Sequence, residues 1–204
     1  MQKDEEQRII EKVKKGDTEA FEELVKAYER QVYNVAFRIL SNVQDAQDAA
    51  QEAFVKAYIN LSSFRGDSKF SVWLYRLTNN CCIDMIRRRK ETISLSMDSD
   101  DGKNTTLDIP DDNQNPEQRV IGREAMQMLV KGIEGLPEDY RSCIVLREIG
   151  GQSYAEIAEI LSIDIGTVKS RIFRARKKLF ELMKDGGNFS YDNPSDITEG
   201  RCAE

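Results

Sequence analysis

Lys169, Ser170, Phe173, Arg174 and Lys177 lie on one side of a segment whose other side is apolar, and Arg171, Arg176 and Lys178 flank them. Val168, Ile172, Ala175 and Leu179 recur at spacings of four, three and four, which predicts a helix with one buried stripe. The wet face holds long cations for phosphates and guanine edges, and a small hydroxyl. It also holds an apolar ring able to meet a thymine methyl. A solvated basic helix would account for the charges, but not for Phe173 among them. Side chains of these types at this spacing suit a helix laid in a DNA major groove.

The elements that must position this helix are legible just upstream. Ser153 and Glu156 have capping-box spacing, so a helix is expected to start there. Tyr154, Ile157, Ala158 and Leu161 would line one face of it. Ser162-Ile163-Asp164 supplies a turn, with Asp164 as the expected cap of the basic helix. Together these segments read as a helix-turn-helix.

A second basic element occupies Phe70–Lys90. Phe70, Trp73, Leu74, Leu77 and Cys81 form a core stripe, whereas Arg76, Asn80 and Arg87 fall on another side. Amides and cations on one ridge beside aromatics suit single-stranded DNA, whose splayed bases offer both edges and faces. Trp73 is read as core. Asn80 is read as functional, because adjacent amides in mid-helix have poor propensity and need a reason.

Charge is strongly segregated along the 204 residues, although the net value is only −6. Arg65–Lys90 carries seven Lys/Arg against two Asp, and Ile165–Lys184 carries seven against one Glu. Between them, Asp98–Glu117 carries seven acids against one Lys. A protein that grips nucleic acid unaided would be basic overall, so this balance points to work with a partner.

Helical periodicity and Gly/Pro punctuation predict an all-α protein of two small helical domains joined by a flexible linker. Helices are expected at about Glu5–Lys15, from an Asp17 cap through Ile39, at Gln44–Leu61 and at Phe70–Arg89. These make an amino-terminal lobe over residues 1–90. Residues 91–116 are acidic and lack periodicity, and read as the linker. Helices at Glu117–Glu134 and Glu138–Ile149 lead into the helix-turn-helix, giving a second lobe over 117–184 and a disordered tail over 185–204. In the third helix, Ala50, Phe54, Ala57, Tyr58 and Leu61 are expected to be buried. Asp45, Asp48, Gln51, Glu52 and Val55 remain for another surface, either a solvated acidic face or a docking face for a basic partner. Composition does not choose between them.

There is no histidine, and Cys81, Cys82, Cys143 and Cys202 lack zinc-ligand spacing. No catalytic constellation, metal site or cofactor motif presents itself, so the expectation is a non-enzyme with small buried cysteines. The polar amino terminus lacks signal-peptide character, and no apolar run approaches membrane-spanning length. A cytoplasmic location is therefore expected.

Two long segments resemble a known family. DAQDAAQEAFVKAYINLSSFRGDSKFSVWLYRLTNNCCIDMIRRR resembles the second conserved region of bacterial extracytoplasmic-function (ECF) sigma factors, and LPEDYRSCIVLREIGGQSYAEIAEILSIDIGTVKSRIFRARKKL resembles their fourth. The resemblance implies a sigma subunit that binds core RNA polymerase and directs it to promoter DNA, in a stress or envelope-response regulon. It implies polymerase docking through Asp45, Asp48, Gln51, Glu52 and Val55. It implies minus-ten reading by Phe64, Arg65, Lys69, Arg76, Asn80 and Arg87, with a flipped base. It implies minus-thirty-five reading by Thr167, Lys169, Ser170, Arg171, Phe173, Arg174, Lys177 and Lys178. The acidic linker would then thread through polymerase, and a cognate anti-sigma factor, often membrane-anchored in this family, is an expected partner. The competing reading is an autonomous helix-turn-helix regulator with a helical sensing domain, which would need a ligand pocket or dimer interface in its amino-terminal lobe.

Overall fold

The computed structural model describes residues 3–95 and 128–185, with side chains over 4–92 and 128–184. Among the described residues every regular element is helical. The amino-terminal lobe comprises α1 (Lys3–Lys14), α2 (Thr18–Leu40), α3 (Val43–Asn60), a 3-10 turn (Leu61–Ser63) and α4 (Phe70–Leu95). The carboxyl-terminal lobe comprises α5 (described over 128–134), α6 (Glu138–Glu148), α7 (Tyr154–Leu161) and α8 (Ile165–Asp185).

Local chemistry sets most boundaries. Gly16 takes φ 98°, a left-handed conformation that releases the chain from α1 without a Cβ penalty. The Asp17 side chain accepts from the Ala20 N–H at 3.1 Å and starts α2. Asn42 caps α3 in the same way, accepting from Asp45 N–H at 3.0 Å. This cap moves the start of α3 to Val43, one residue before the expected Gln44. At α7 both halves of the capping box form. Ser153 N–H donates to Glu156 Oε2 at 2.7 Å, and Glu156 N–H donates to Ser153 Oγ at 3.3 Å.

The core follows the apolar stripes. Leu24, Val32, Val35 and Ile39 of α2 meet Ala46, Ala49, Ala53 and Ala57 of α3, whose small side chains let the helices lie close. Phe70, Leu74, Tyr75 and Cys81 bury one side of α4 against α2 and α3. In the second lobe, Val168, Ile172, Ala175 and Leu179 are all buried, as expected for the α8 stripe. Across α7 the fully buried pair is Ile157 and Ile160, while Tyr154, Ala158 and Leu161 are only partly covered.

Two expectations need correction. Tyr58 is 44% exposed, because the alanines of α3 take the buried positions. The fourth helix does not end at Arg89 but runs on to Leu95, so the start of the expected 91–116 linker is helical. Phe64 is buried against Phe70 and Trp73, with ring centroids at 5.8 and 5.2 Å. It therefore anchors the loop after α3 in the core. The rest of the linker, most of Glu117–Glu134, and the tail with Cys202 lie outside the described residues. Cys81, Cys82 and Cys143 are buried free thiols, and burial pushes the Cys143 thiol up to about 11.

The capping geometry yields a direct stability test. Ser153→Ala should cost about 1 kcal/mol, read as a lower urea midpoint of the full chain. An unchanged midpoint would mean that the capping box contributes nothing to the helix-turn-helix.

Candidate nucleic-acid interface

Helix α8 is held by its buried stripe so that its other face points to solvent. Lys169, Ser170, Phe173, Arg174, Lys177 and Lys178 are exposed, and Phe173 is 65% exposed although it is a large apolar ring. Ser170 Oγ donates to the Thr167 carbonyl at 2.9 Å, and Thr167 itself is half-buried. Arg174 Nη1 lies 3.4 Å from the Tyr140 hydroxyl, and Lys178 sits 5.8 Å from the Tyr140 ring centroid. Tyr140 of α6 thus braces two of the cations. Arg171 differs from its neighbours. Its Nη2 binds Asp139 at 2.9 Å and its side chain is 23% exposed, so it ties α8 to α6. Arg176, paired with Glu148 at 2.6 Å, does the same.

The second cationic surface surrounds the loop between α3 and α4. Arg65 is exposed beside Gly66, whose φ of 81° makes the bend. Lys14 of α1 donates to the Phe64 carbonyl at 2.7 Å and holds the loop from behind. On α4, Asn80 and Arg87 are exposed and Arg76 is half-buried. The adjacent amides separate sharply, because Asn79 is buried while Asn80 faces out. Arg65, Lys69, Arg76, Asn80 and Arg87 therefore all keep some access to solvent, and Phe64 does not.

The acidic helix α3 divides as well. Asp48, Gln51 and Val55 are exposed, and Val55 is 51% so. Asp45 is ion-paired with Arg89 of α4, and Glu52 with Lys56 at 2.8 Å. Beside the exposed three runs an apolar groove of about 510 Å³ between α2 and α3, walled by Phe21, Val25, Tyr33, Phe54 and Tyr58. The sequence reading missed this groove. Its apolar residues Phe21, Val25 and Tyr58 are visible in the sequence, but only the packing of α2 on α3 shows that they converge on an open groove.

The lobes touch each other. Lys69 binds Glu156 at 2.8 Å, and Arg76 donates to the Glu159 carbonyl at 2.7 Å with the Glu159 carboxylate at 3.6 Å. Lys90 pairs with Glu138. Arg141 of α6 donates to the Ile39 carbonyl at 2.8 Å and to the Leu136 carbonyl at 3.0 Å. A guanidinium there satisfies an orphan carbonyl at the negative end of α2. Burial opposes the Arg141 charge and lowers its pKa.

Residues 24–92 match Sigma-70 region 2, and residues 126–179 match Sigma-70, region 4. The chain is 42% identical to the ECF RNA polymerase sigma factor SigW of Bacillus subtilis over 178 residues, covering 86% of this chain and 95% of that protein. It is 40% identical to the ECF RNA polymerase sigma-E factor of Escherichia coli over 176 residues, covering 85% and 92%. Among solved structures, the sigma factor RpoE bound to the anti-sigma factor NepR from Bartonella quintana matches with a TM-score of 0.68 and 26% identity, over 80% of this chain and 96% of that one. CnrH in complex with the cytosolic domain of CnrY has the same fold, with a TM-score of 0.63 and 24% identity over 87% and 96%. The chain belongs to the ECF sigma factors of the sigma-70 family. It is a sigma factor that directs promoter-specific transcription initiation, and the autonomous-regulator alternative is not favoured.

The Glu156 carboxyl gives the site a pH signature. Burial would raise its pKa, but hydrogen bonds from Lys69 and Ser153 outweigh burial and hold it below the ordinary value of 4.5. A carboxyl depressed in the folded state contributes stability that is present above its unfolded pKa and lost as pH falls through the folded one. Thermal melts from pH 7 to pH 3 should therefore fall more steeply for the wild type than for Glu156→Gln. Parallel curves would mean that these hydrogen bonds do not hold the carboxylate in solution.

Proposed function

We propose that this sigma factor divides its work between three surfaces. The exposed part of α3, Asp48, Gln51 and Val55, together with the apolar α2–α3 groove, docks on core RNA polymerase. Arg65, Lys69, Arg76, Asn80 and Arg87 engage the melted minus-ten strand, with the cations on the backbone and Asn80 on a base edge. Lys169, Ser170, Phe173, Arg174, Lys177 and Lys178 enter the major groove of the minus-thirty-five element, with Thr167 at the start of the contact face.

The observation that carries this reading is the α8 face. Its exposed Phe173 and solvent-facing cations stand opposite a buried stripe, and Phe173 has no packing purpose there. Arg171 and Arg176 are assigned to holding α8 in place, since each is spent on a carboxylate of α6. Asp45 likewise serves the α3–α4 contact through Arg89.

The domain division follows the same surfaces. Residues 1–90 carry polymerase and minus-ten binding, residues 117–184 carry minus-thirty-five binding, and residues 91–116 connect them. The protein acts in the cytoplasm beside polymerase, and a cognate anti-sigma factor restrains it. No described helix is long and apolar enough to cross a membrane.

Arg174→Ala should weaken use of the upstream element by about 1–3 kcal/mol while leaving core binding intact, read by promoter binding of the holoenzyme. Arg171→Ala should lower the melting temperature as well. If Arg174→Ala leaves promoter binding unchanged, the recognition-helix assignment is wrong. Asp48→Lys combined with Val55→Asp should reduce core-polymerase affinity at least about tenfold, or ~1.4 kcal/mol. Unchanged affinity would move the docking surface elsewhere.

A further inference from the structure

The first turn of α6 offers two consecutive side chains to α8, and they treat its cations differently. Asp139 takes Arg171 at 2.9 Å, a full charge pair. Tyr140 instead accepts from Arg174 Nη1 at 3.4 Å through its hydroxyl, and its ring centroid lies 5.8 Å from Lys178 Nζ. Arg171, Arg174 and Lys178 stand at spacings of three and four, so they form one row along α8. Among the described residues the ion pairs of α8 are made by Arg171, Arg176 and Lys177. Arg174 and Lys178 are met by a neutral phenol.

A carboxylate orients a guanidinium but also neutralises it, and it must be displaced before a DNA oxygen can take its place. A phenol oxygen accepts a hydrogen bond without cancelling the charge, and a ring face attracts an ammonium in the same way. At 3.4 Å the Arg174 bond is long, so it biases the fork without tying it down. An arginine loses much rotamer freedom when its fork is fixed on a base edge. A fork already held near one orientation loses less on binding. Tyr140 is a firm base for this. Its N–H and that of Arg141 both donate to the Pro137 carbonyl at 2.9 Å, and Leu136 and Cys143 on either side of it in the chain are buried.

We propose that Tyr140 is a positioning residue for promoter reading, whose hydroxyl presets the Arg174 guanidinium for a base edge in the upstream element. The inference rests on the assignment of α8 as the minus-thirty-five reader. Tyr140 lies on α6, outside the recognition helix, and acts through Arg174.

The test uses the holoenzyme formed by the full chain with core RNA polymerase. It is bound to duplex DNA randomised over the upstream element, and the bound and input pools are sequenced to read the preference at every base pair. Arg174→Ala identifies the base pair that Arg174 reads. Tyr140→Phe keeps the ring and loses only the hydroxyl. It should lower the preference at that same base pair about two- to tenfold, the effect of ordering one flexible side chain. Preferences at the other positions, and the urea midpoint of the free chain, should match the wild type. In the Arg174→Ala background, Tyr140→Phe should change nothing further.

Unchanged preferences in Tyr140→Phe, with one position flattened by Arg174→Ala, overturn the positioning role and leave the recognition face standing. An equal loss at all positions, or the same loss again in the Arg174→Ala background, makes Tyr140 a packing residue and overturns the inference. If Arg174→Ala itself flattens no position, the recognition-helix assignment fails and the role of Tyr140 fails with it.

Discussion

Burial of one side of α4 is the contact on which the rest of this molecule depends. Phe70, Leu74, Tyr75 and Cys81 seat the helix on α2 and α3, and Phe64 and Trp73 close the loop that precedes it. With that side committed to the core, helical geometry leaves Arg76, Asn80 and Arg87 facing away from it. The same packing carries the Arg89–Asp45 pair to α3 and brings Lys69 and Arg76 to α7. A core contact thus orients the polar ridge of α4 and the lobe interface together.

The charged residues of this protein fall into two groups that composition does not separate. Some are tied to a neighbouring element and hold the two in register, as Arg171, Arg176, Arg141 and Asp45 do. Others, such as Lys169, Asp48 and Arg87, project into solvent from a helix whose opposite side is buried. Exposed ion pairs contribute only about 0–1 kcal/mol each, so the first group acts through placement more than through stability. Arg141 is the exception, since it is half-buried and its guanidinium satisfies carbonyls that the helix ends leave unpaired.

The lobes meet through surface ion pairs and one half-buried guanidinium. The exposed Phe173 and the apolar α2–α3 groove are among the apolar surfaces that the described residues leave open.

Much of this was legible in the chain alone, because periodicity and capping are local. The Ser153–Glu156 box, the α8 stripe and the exposed Phe173 follow from spacings of three and four residues, which a helix converts directly into faces. The all-helical class and the division into two basic readers around an acidic stretch were equally readable. The fate of Phe64, Tyr58, Asp45 and Arg171 was not, since each depends on what a neighbouring helix offers across the gap. Alanines on α3 displaced Tyr58 outward, and aromatic rings on α4 drew Phe64 inward. The groove between α2 and α3 and the carboxylates of α7 on the α4 cations were decided only by tertiary structure. Lys69 and Glu156, 87 positions apart, meet there, and no local spacing encodes such a meeting.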